Sequence, residues 1–390
     1  MHFPQLDQAS DDAKLAELAA RLAAQAAELD RSAAFPHGPL RAFAELGLTG
    51  LTVPEALGGG GWGIEPVTRL LARLAAAEPA SSLILAMTLI QQALIARNGR
   101  LAPHPADQVG RQGVAGAYLN ALRVEPELGS PARGGLPATV ATRTSSGWRI
   151  SGHKRFCTGI EGLAMALVWA RTDEATPRVG QFLVPVPSEG LTILPSWDHL
   201  GMRATGSHDV ALAEVEIPAD HALDLRPPDQ CPYEPESFAW ITLPVAALYH
   251  GIAEGALGWL TGYLHERQPS SLGAPLASLP RIQMEVGTIE GLLATSRRLL
   301  HSAAAEVDAG RTPGTTELGL IKRSVTGNAI QAVETAVALI GNAALDRKNP
   351  LERHLRDVLC ARIHTPQDDS VLLAAGRARL DQASRNRSGS

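Results

Sequence analysis

The chain has 390 residues, 45% of them hydrophobic and 19% charged, which at roughly 150 residues per domain means two or three domains and excludes a disordered chain, a coiled coil and collagen. A net charge of −5, from 35 Lys and Arg against 40 Asp and Glu, leaves no cationic face for phosphate neutralisation and argues against nucleic acid as a partner. Cys157, Cys231 and Cys360 lie far apart without metal or redox spacing, and neither a leader pattern nor an apolar run of about 20 residues is present, so a cytoplasmic protein with no membrane span and no metal is expected.

Leu15, Leu18, Leu22 and Leu29 mark a helical stripe over 11–30, with Asp11 or Asp12 placed to cap it. Further helices are predicted over 40–46, 64–77 and 80–97, the last stopped by Asn98-Gly99, which makes 1–112 a helical N-terminal domain. The texture then changes to β-favouring runs at 139–144, 148–151, 166–170, 181–184, 191–194 and 210–217, with Ser146-Gly147 as a hairpin turn. Residues 113–222 therefore read as a compact β domain. The Pro-rich, acidic stretch 223–236 reads as a linker. Beyond it, 237–266, 276–309, 316–345 and 350–379 are four long helices whose apolar faces need one another, a C-terminal bundle over 237–383 with a small polar tail at 384–390.

Gly58, Gly60 and Gly63 match GxGxxG, the dinucleotide fingerprint. Pro54-Glu55 intrudes before the glycines, and another helix, not a second parallel strand, follows; a structural turn is the better reading. His265-Glu266 opens an HExxH that ends on Pro269, and no GxSxG occurs, so neither a zinc protease nor a serine hydrolase has local support.

Ordinary-looking segments in a particular order carry more. Residues 46–59 (LGLTGLTVPEALGG), Glu125-Pro126 with Gly129-Ser130, 152–159 (GHKRFCTG), 200–207 (LGMRATGS) running on to Val215-Glu-Ile-Pro218, Arg267 with Leu272-Gly273, and 351–357 (LERHLRD) together resemble the acyl-CoA dehydrogenase superfamily of flavoproteins over about 35–380. The resemblance implies an α+β multidomain fold: a helical N-terminal domain, a middle β-barrel and a C-terminal four-helix bundle. It also implies FAD, with FMN as the alternative, and assembly as a homo-oligomer, tetramer or dimer.

A flavin ring needs a flat apolar wall and hydrogen-bond donors at its edge. Phe156 is the candidate wall, and if that segment is extended, Thr158 two residues on faces the same side. Gly129 and Ser130 suit close backbone approach. Val124 stands where the family has Thr, so its contact would run through backbone. Arg267 is the candidate for the cofactor's pyrophosphate, because a guanidinium binds it bidentately. Gly341-Asn342 resembles the family's paired glycines with the second replaced, and Arg356-Asp357 is read as a structural ion pair.

The departure from the family lies at the base. Proton abstraction α to a thioester, with hydride transfer from the substrate CH–CH to flavin N5, needs a carboxylate. The interval that leads to that Glu lands here on Thr365, and the family's other location falls near Leu243. Moreover 235–250 contains no Lys or Arg for the CoA chain. Residues 362–369 (RIHTPQDD) are more similar to the flavin-dependent monooxygenases like dibenzothiophene monooxygenase, in which a histidine of this segment assists oxygen activation. His364 is then the candidate catalytic residue, and Asp368 or Asp369 a displaced base. Three functions follow as expectations: an FAD-dependent dehydrogenase of acyl thioesters passing electrons to an electron-transferring flavoprotein; a monooxygenase fed by a flavin reductase; or a non-catalytic binder that kept the fold.

Overall fold

The computed structural model describes residues 3–4, 8–127, 135–231 and 233–388, in two compact units. One unit comprises 1–63, 80–199 and 203–233, the other 64–79, 200–202 and 234–390.

The first unit combines helices with a sheet. Its helices are α1 (Ala9–Ser32), α2 (His37–Glu45), α4 (Pro79–Arg97) and α5 (Pro103–Val114), while α3 (Ile64–Ala77) belongs to the second unit. The leucine stripe of α1 is buried as expected, but no side chain caps the helix: Asp11 is buried and pairs instead with Lys14 at 3.0 Å. Helix α4 is long and apolar enough to cross a membrane by composition, yet 83% of that stretch is buried inside the protein, the pattern of a core helix. Gly58 to Gly63 form the structural turn read from the sequence. Gly61 and Trp62 donate backbone hydrogen bonds to the carbonyls of Val53 and Leu51, and a Cβ at Gly59 would stand 2.2 Å from the Val53 oxygen.

The strands are β1 (Tyr118–Leu122), β2 (Val140–Arg143), β3 (Gly147–Lys154), β4 (Leu163–Thr172), β5 (Val179–Pro185), β6 (Leu191–Leu194), β7 (Asp209–Pro218) and β8 (Ala222–Arg226). They form one eight-stranded sheet in the order β6-β7-β3-β2-β4-β5-β8, with β1 pairing parallel to β4. The 144–147 turn joins β2 to β3 as expected, and Gly147 is required because a Cβ there would meet the Ile217 oxygen at 2.0 Å. Strands β1 and β8 were not read from the sequence. Strand β8 takes the start of the expected linker, because Gln181 and Phe182 of β5 offer it an edge. Ile95, Val109, Leu119, Met165, Leu167, Leu183 and Leu223 form a cluster that packs α4 and α5 on this sheet.

A buried ion pair stitches the sheet. Lys154 Nζ donates to Glu125 Oε1 at 2.6 Å and to the Trp169 carbonyl, and Glu125 also accepts from the Thr139 hydroxyl and from the Ala138 and Thr139 amides. Burial alone would raise the Glu125 carboxyl; the hydrogen bonds of Lys154 and Thr139 outweigh it and hold it below its ordinary value.

The second unit is a helical bundle: α3, α6 (Pro235–Glu266), α7 (Pro280–Asp308), α8 (Thr315–Ile340), the short α9 (Asn342–Leu345), α10 (Leu351–Leu359) and α11 (Asp368–Ser388). Helix α6, about 48 Å long at 1.5 Å per residue, crosses α3 closely, since a Cβ added at Gly251 or Gly255 would stand 2.1 or 2.4 Å from the carbonyls of Ala72 or Ala76. Asp308 caps α3 by accepting from the amides of Ile64 and Glu65. The helix expected over 350–379 is broken: α10 ends in the 3-10 turn Cys360–Arg362, and α11 begins only at Asp368. Pro366 explains the break, since proline has no N–H to continue the ladder and disfavours helix at the residue before it.

Candidate active site

The residues singled out from the sequence divide between the two units. In the first, β3 ends at Lys154 and Phe156 adopts φ 56°, which turns the chain out of the strand. The Thr158 amide then donates back to the Phe156 carbonyl at 3.0 Å. The segment is therefore not extended, and the same-face expectation for Phe156 and Thr158 fails with it. The two residues differ in setting. Phe156 is 43% exposed, a large apolar ring held out by its backbone, with the Arg155 guanidinium 4.9 Å from its centre. Thr158 Oγ1 lies 2.9 Å from Ser207 Oγ, which lies 2.7 Å from Thr205 Oγ1.

A second aromatic pair flanks Phe156. Trp197 and His199 stack at 3.7 Å, with the His199 ring 5.8 Å edge-on to Phe156. His208 and Asp209 hold the loop that carries them. His208 Nδ1 accepts from the amides of Ser196 and Trp197, and Asp209 accepts from the Ser196 hydroxyl while meeting His153 and Arg155 at 3.0 and 3.3 Å. The sequence reading gave no site role to Trp197 or His199 and carried Ser207 only within the 200–207 segment; the pairing of two aromatic rings just ahead of the LGM segment was the available signal. Val124 spends its carbonyl on the Arg155 amide at 2.9 Å. Gly129 and Ser130 lie outside the described residues.

In the second unit, His364 sits in the break between α10 and α11. Its Nδ1 is 2.6 Å from the hydroxyl of Tyr249, a wholly buried residue of α6. Burial first, then the nearby Lys322 ammonium, pull His364 down to about 4, so the ring is neutral at physiological pH. Burial pushes the Tyr249 phenol well above its ordinary value, and it keeps its proton. Thr365, next to His364, is partly buried, and Leu243 is completely buried. Asp368 opens α11; its Oδ2 is 3.9 Å from Arg323 Nε, and its buried Oδ1 has no hydrogen-bond partner among the described residues. Arg267 is exposed at the end of α6, and Gly341 links α8 to α9 at φ 59°.

Arg356 and Asp357 each have structural partners elsewhere in this unit. Arg356 binds Glu352 at 2.7 and 2.9 Å and the Leu200 carbonyl at 2.8 Å, while Asp357 Oδ1 accepts from the Met202 amide at 2.6 Å. Gly201 is obligatory between them, because a Cβ would lie 2.3 Å from the Arg356 oxygen.

Helices, an eight-stranded sheet and a long-helix bundle in this chain order define a flavin-dependent oxidoreductase fold, and the comparisons agree. The chain belongs to the acyl-CoA dehydrogenase family: residues 11–102, 123–215 and 243–368 match its N-terminal, middle and C-terminal domain models. YdbM of Bacillus subtilis (strain 168), whose name places it among acyl-CoA dehydrogenases, is 32% identical over 363 residues, covering 92% of this chain and 93% of that protein. Among solved structures, KijD3 in complex with FMN and dTDP-3-amino-2,3,6-trideoxy-4-keto-3-methyl-D-glucose is 27% identical with TM-score 0.82, covering 94% of this chain and 92% of that one. Butyryl-CoA dehydrogenase from Megasphaera elsdenii shares the fold at TM-score 0.86 and 24% identity, covering 97% and 100%.

Proposed function

We propose that this protein is a flavin-dependent oxygenase on the acyl-CoA dehydrogenase fold, taking reduced flavin from a separate reductase and oxidising a small organic substrate. The observation that carries the reading is the Tyr249–His364 pair: where thioester dehydrogenation needs a carboxylate base, this chain places a neutral imidazole on a buried phenol.

A bound reduced flavin supplies the two electrons with which dioxygen is activated. In the sheet unit Phe156 is proposed as an apolar wall for the ring and the hydroxyls of Thr158 and Ser207 as its hydrogen-bond partners; in the bundle, taken by itself, Gly341 and Arg267 are proposed as cofactor contacts. In the tautomer in which the phenol donates to Nδ1, the His364 proton sits on Nε2 and can be donated in a hydrogen bond to an oxygen that gains negative charge. A neutral imidazole suits that role because it donates without first having to be protonated. The FMN and the amino sugar bound by KijD3, 27% identical, support FMN as the cofactor and a substrate bearing a nucleophilic heteroatom.

A second reading has its own observation. The unpartnered Oδ1 of Asp368 could take an α-proton in an FAD-dependent acyl thioester dehydrogenase coupled to an electron-transferring flavoprotein, as the name of YdbM suggests. Reduced FMN from a reductase, 18O-labelled dioxygen and a panel of amines and thioethers separate the two. The expected result is label in the product, with His364→Ala diverting oxygen to hydrogen peroxide. Unlabelled products, together with anaerobic bleaching of bound FAD by an acyl-CoA that Asp368→Asn abolishes, would replace the first reading by the second.

A further inference from the structure

Leu318, Lys322, Val325 and Ala329 form one buried stripe of α8, so a lysine stands where helical periodicity calls for an apolar residue. Lys322 is wholly buried. Its Nζ donates to the carbonyls of Ala361, His364 and Pro366 at 3.3, 3.0 and 3.0 Å. An ammonium has three protons, and each has an acceptor here. None of those acceptors is a carboxylate; Asp368 exerts the nearest acidic influence, and burial pulls the lysine below its ordinary value despite it.

Burying a cation against carbonyl dipoles alone is costly, and an apolar residue would fill the stripe without that cost. What the lysine adds is confined to 361–366. Those residues run from the 3-10 turn to the start of α11, where the Ile363 amide also donates to Cys360 at 3.3 Å, Gln367 reaches the Thr365 hydroxyl at 3.5 Å and Arg362 lies 3.7 Å from Glu334. His364 is thus fixed at two points, by its carbonyl to α8 and by its ring to Tyr249 on α6.

We infer that Lys322 is a positioning residue that clamps the 361–366 turn through three carbonyls and so presents the His364 ring to Tyr249 in a single orientation. The inference rests on the proposed role of His364 only for its effect on turnover. Removing the clamp frees the turn, and Nδ1 and Nε2 then compete for the proton.

The test uses full-length Lys322→Ala and Lys322→Met labelled with 15N-histidine and read at pH 8.5, well above even the ordinary histidine value of about 6.5, so that a neutral ring is compared throughout and loss of the lysine charge does not itself move the signal; His364→Gln assigns the resonances. Wild type is expected to show one His364 tautomer and both variants a mixture. Propylammonium, which replaces the lost side chain, should restore the single tautomer in Lys322→Ala but not in Lys322→Met, where the thioether fills the channel; tetramethylammonium, which has no N–H, should restore neither. Product formed per oxygen consumed should fall about 10- to 100-fold with KM little changed, the scale set by a misplaced catalytic group. Should both variants fail to fold, Lys322→Leu, which fills the stripe and supplies no N–H donor, is read the same way. A single tautomer in every folded variant would overturn the inference. Mixed tautomers with an unchanged product yield would uphold the clamp and count against the oxygenase role of His364.

Discussion

Lys154 and Lys322 are both wholly buried, one in each unit, and they solve the same problem differently. Lys154 meets a carboxylate, so the charge cancels and three segments of the sheet unit, around Glu125, Thr139 and Trp169, are tied together. Lys322 meets only carbonyls, so its charge persists beside His364 and helps burial keep that ring neutral. The difference teaches that a buried cation with an anion serves architecture, whereas one without an anion also sets the electrostatics of its neighbourhood.

The largest expected effect tests the first half of that contrast. Lys154→Met leaves the Glu125 carboxylate buried without its cation and should cost about 3–5 kcal/mol, read as a fall in the denaturant midpoint, with Glu125→Leu added to Lys154→Met recovering most of it. Lys322→Met strands carbonyls rather than a charge and should cost less, about 1–3 kcal/mol. An order reversed in the same assay would break the contrast.

Acid sharpens it. His364 and His354, the latter buried on α10 and held down to about 3 first by burial and then by Arg353, are neutral in the folded chain where the unfolded chain binds protons. Above pH 6.5 they contribute nothing; as pH falls from 6.5 towards 4 the unfolded state gains protons and stability declines. Denaturation at pH 7.5 and pH 5 should show that decline, and His364→Gln should reduce it. The smallest effect belongs to an exposed pair: Arg178→Ala, which removes the Glu174 bridge at 2.6 Å, should change stability by less than about 1 kcal/mol.

The helical stripe of α1, six of the strands, the glycine turn and the long helices up to α8 were legible because each repeats a periodicity that burial enforces. Strands β1 and β8 were not, since each is short and depends on an edge supplied by β4 or β5. At the site, His364 could be singled out directly from the 362–369 segment. Tyr249 could not, being one of several rings in a largely apolar helix, with a partner 115 residues away. Lys322 left a trace, a charge on a buried stripe, that gains meaning only once the three carbonyls it serves are seen. Phe156 misled because period-two reasoning assumes an extended backbone, and φ 56° ends the strand.

One titration bears most directly on the claim that His364 is a neutral imidazole held on a buried phenol. The 13Cε1 resonance of His364, followed from pH 8 to pH 3.5 in wild type and assigned with His364→Gln, should stay at its neutral position until about pH 4. A midpoint at 6.5 or above would contradict it, for the ring would then be as free and as hydrated as any surface histidine.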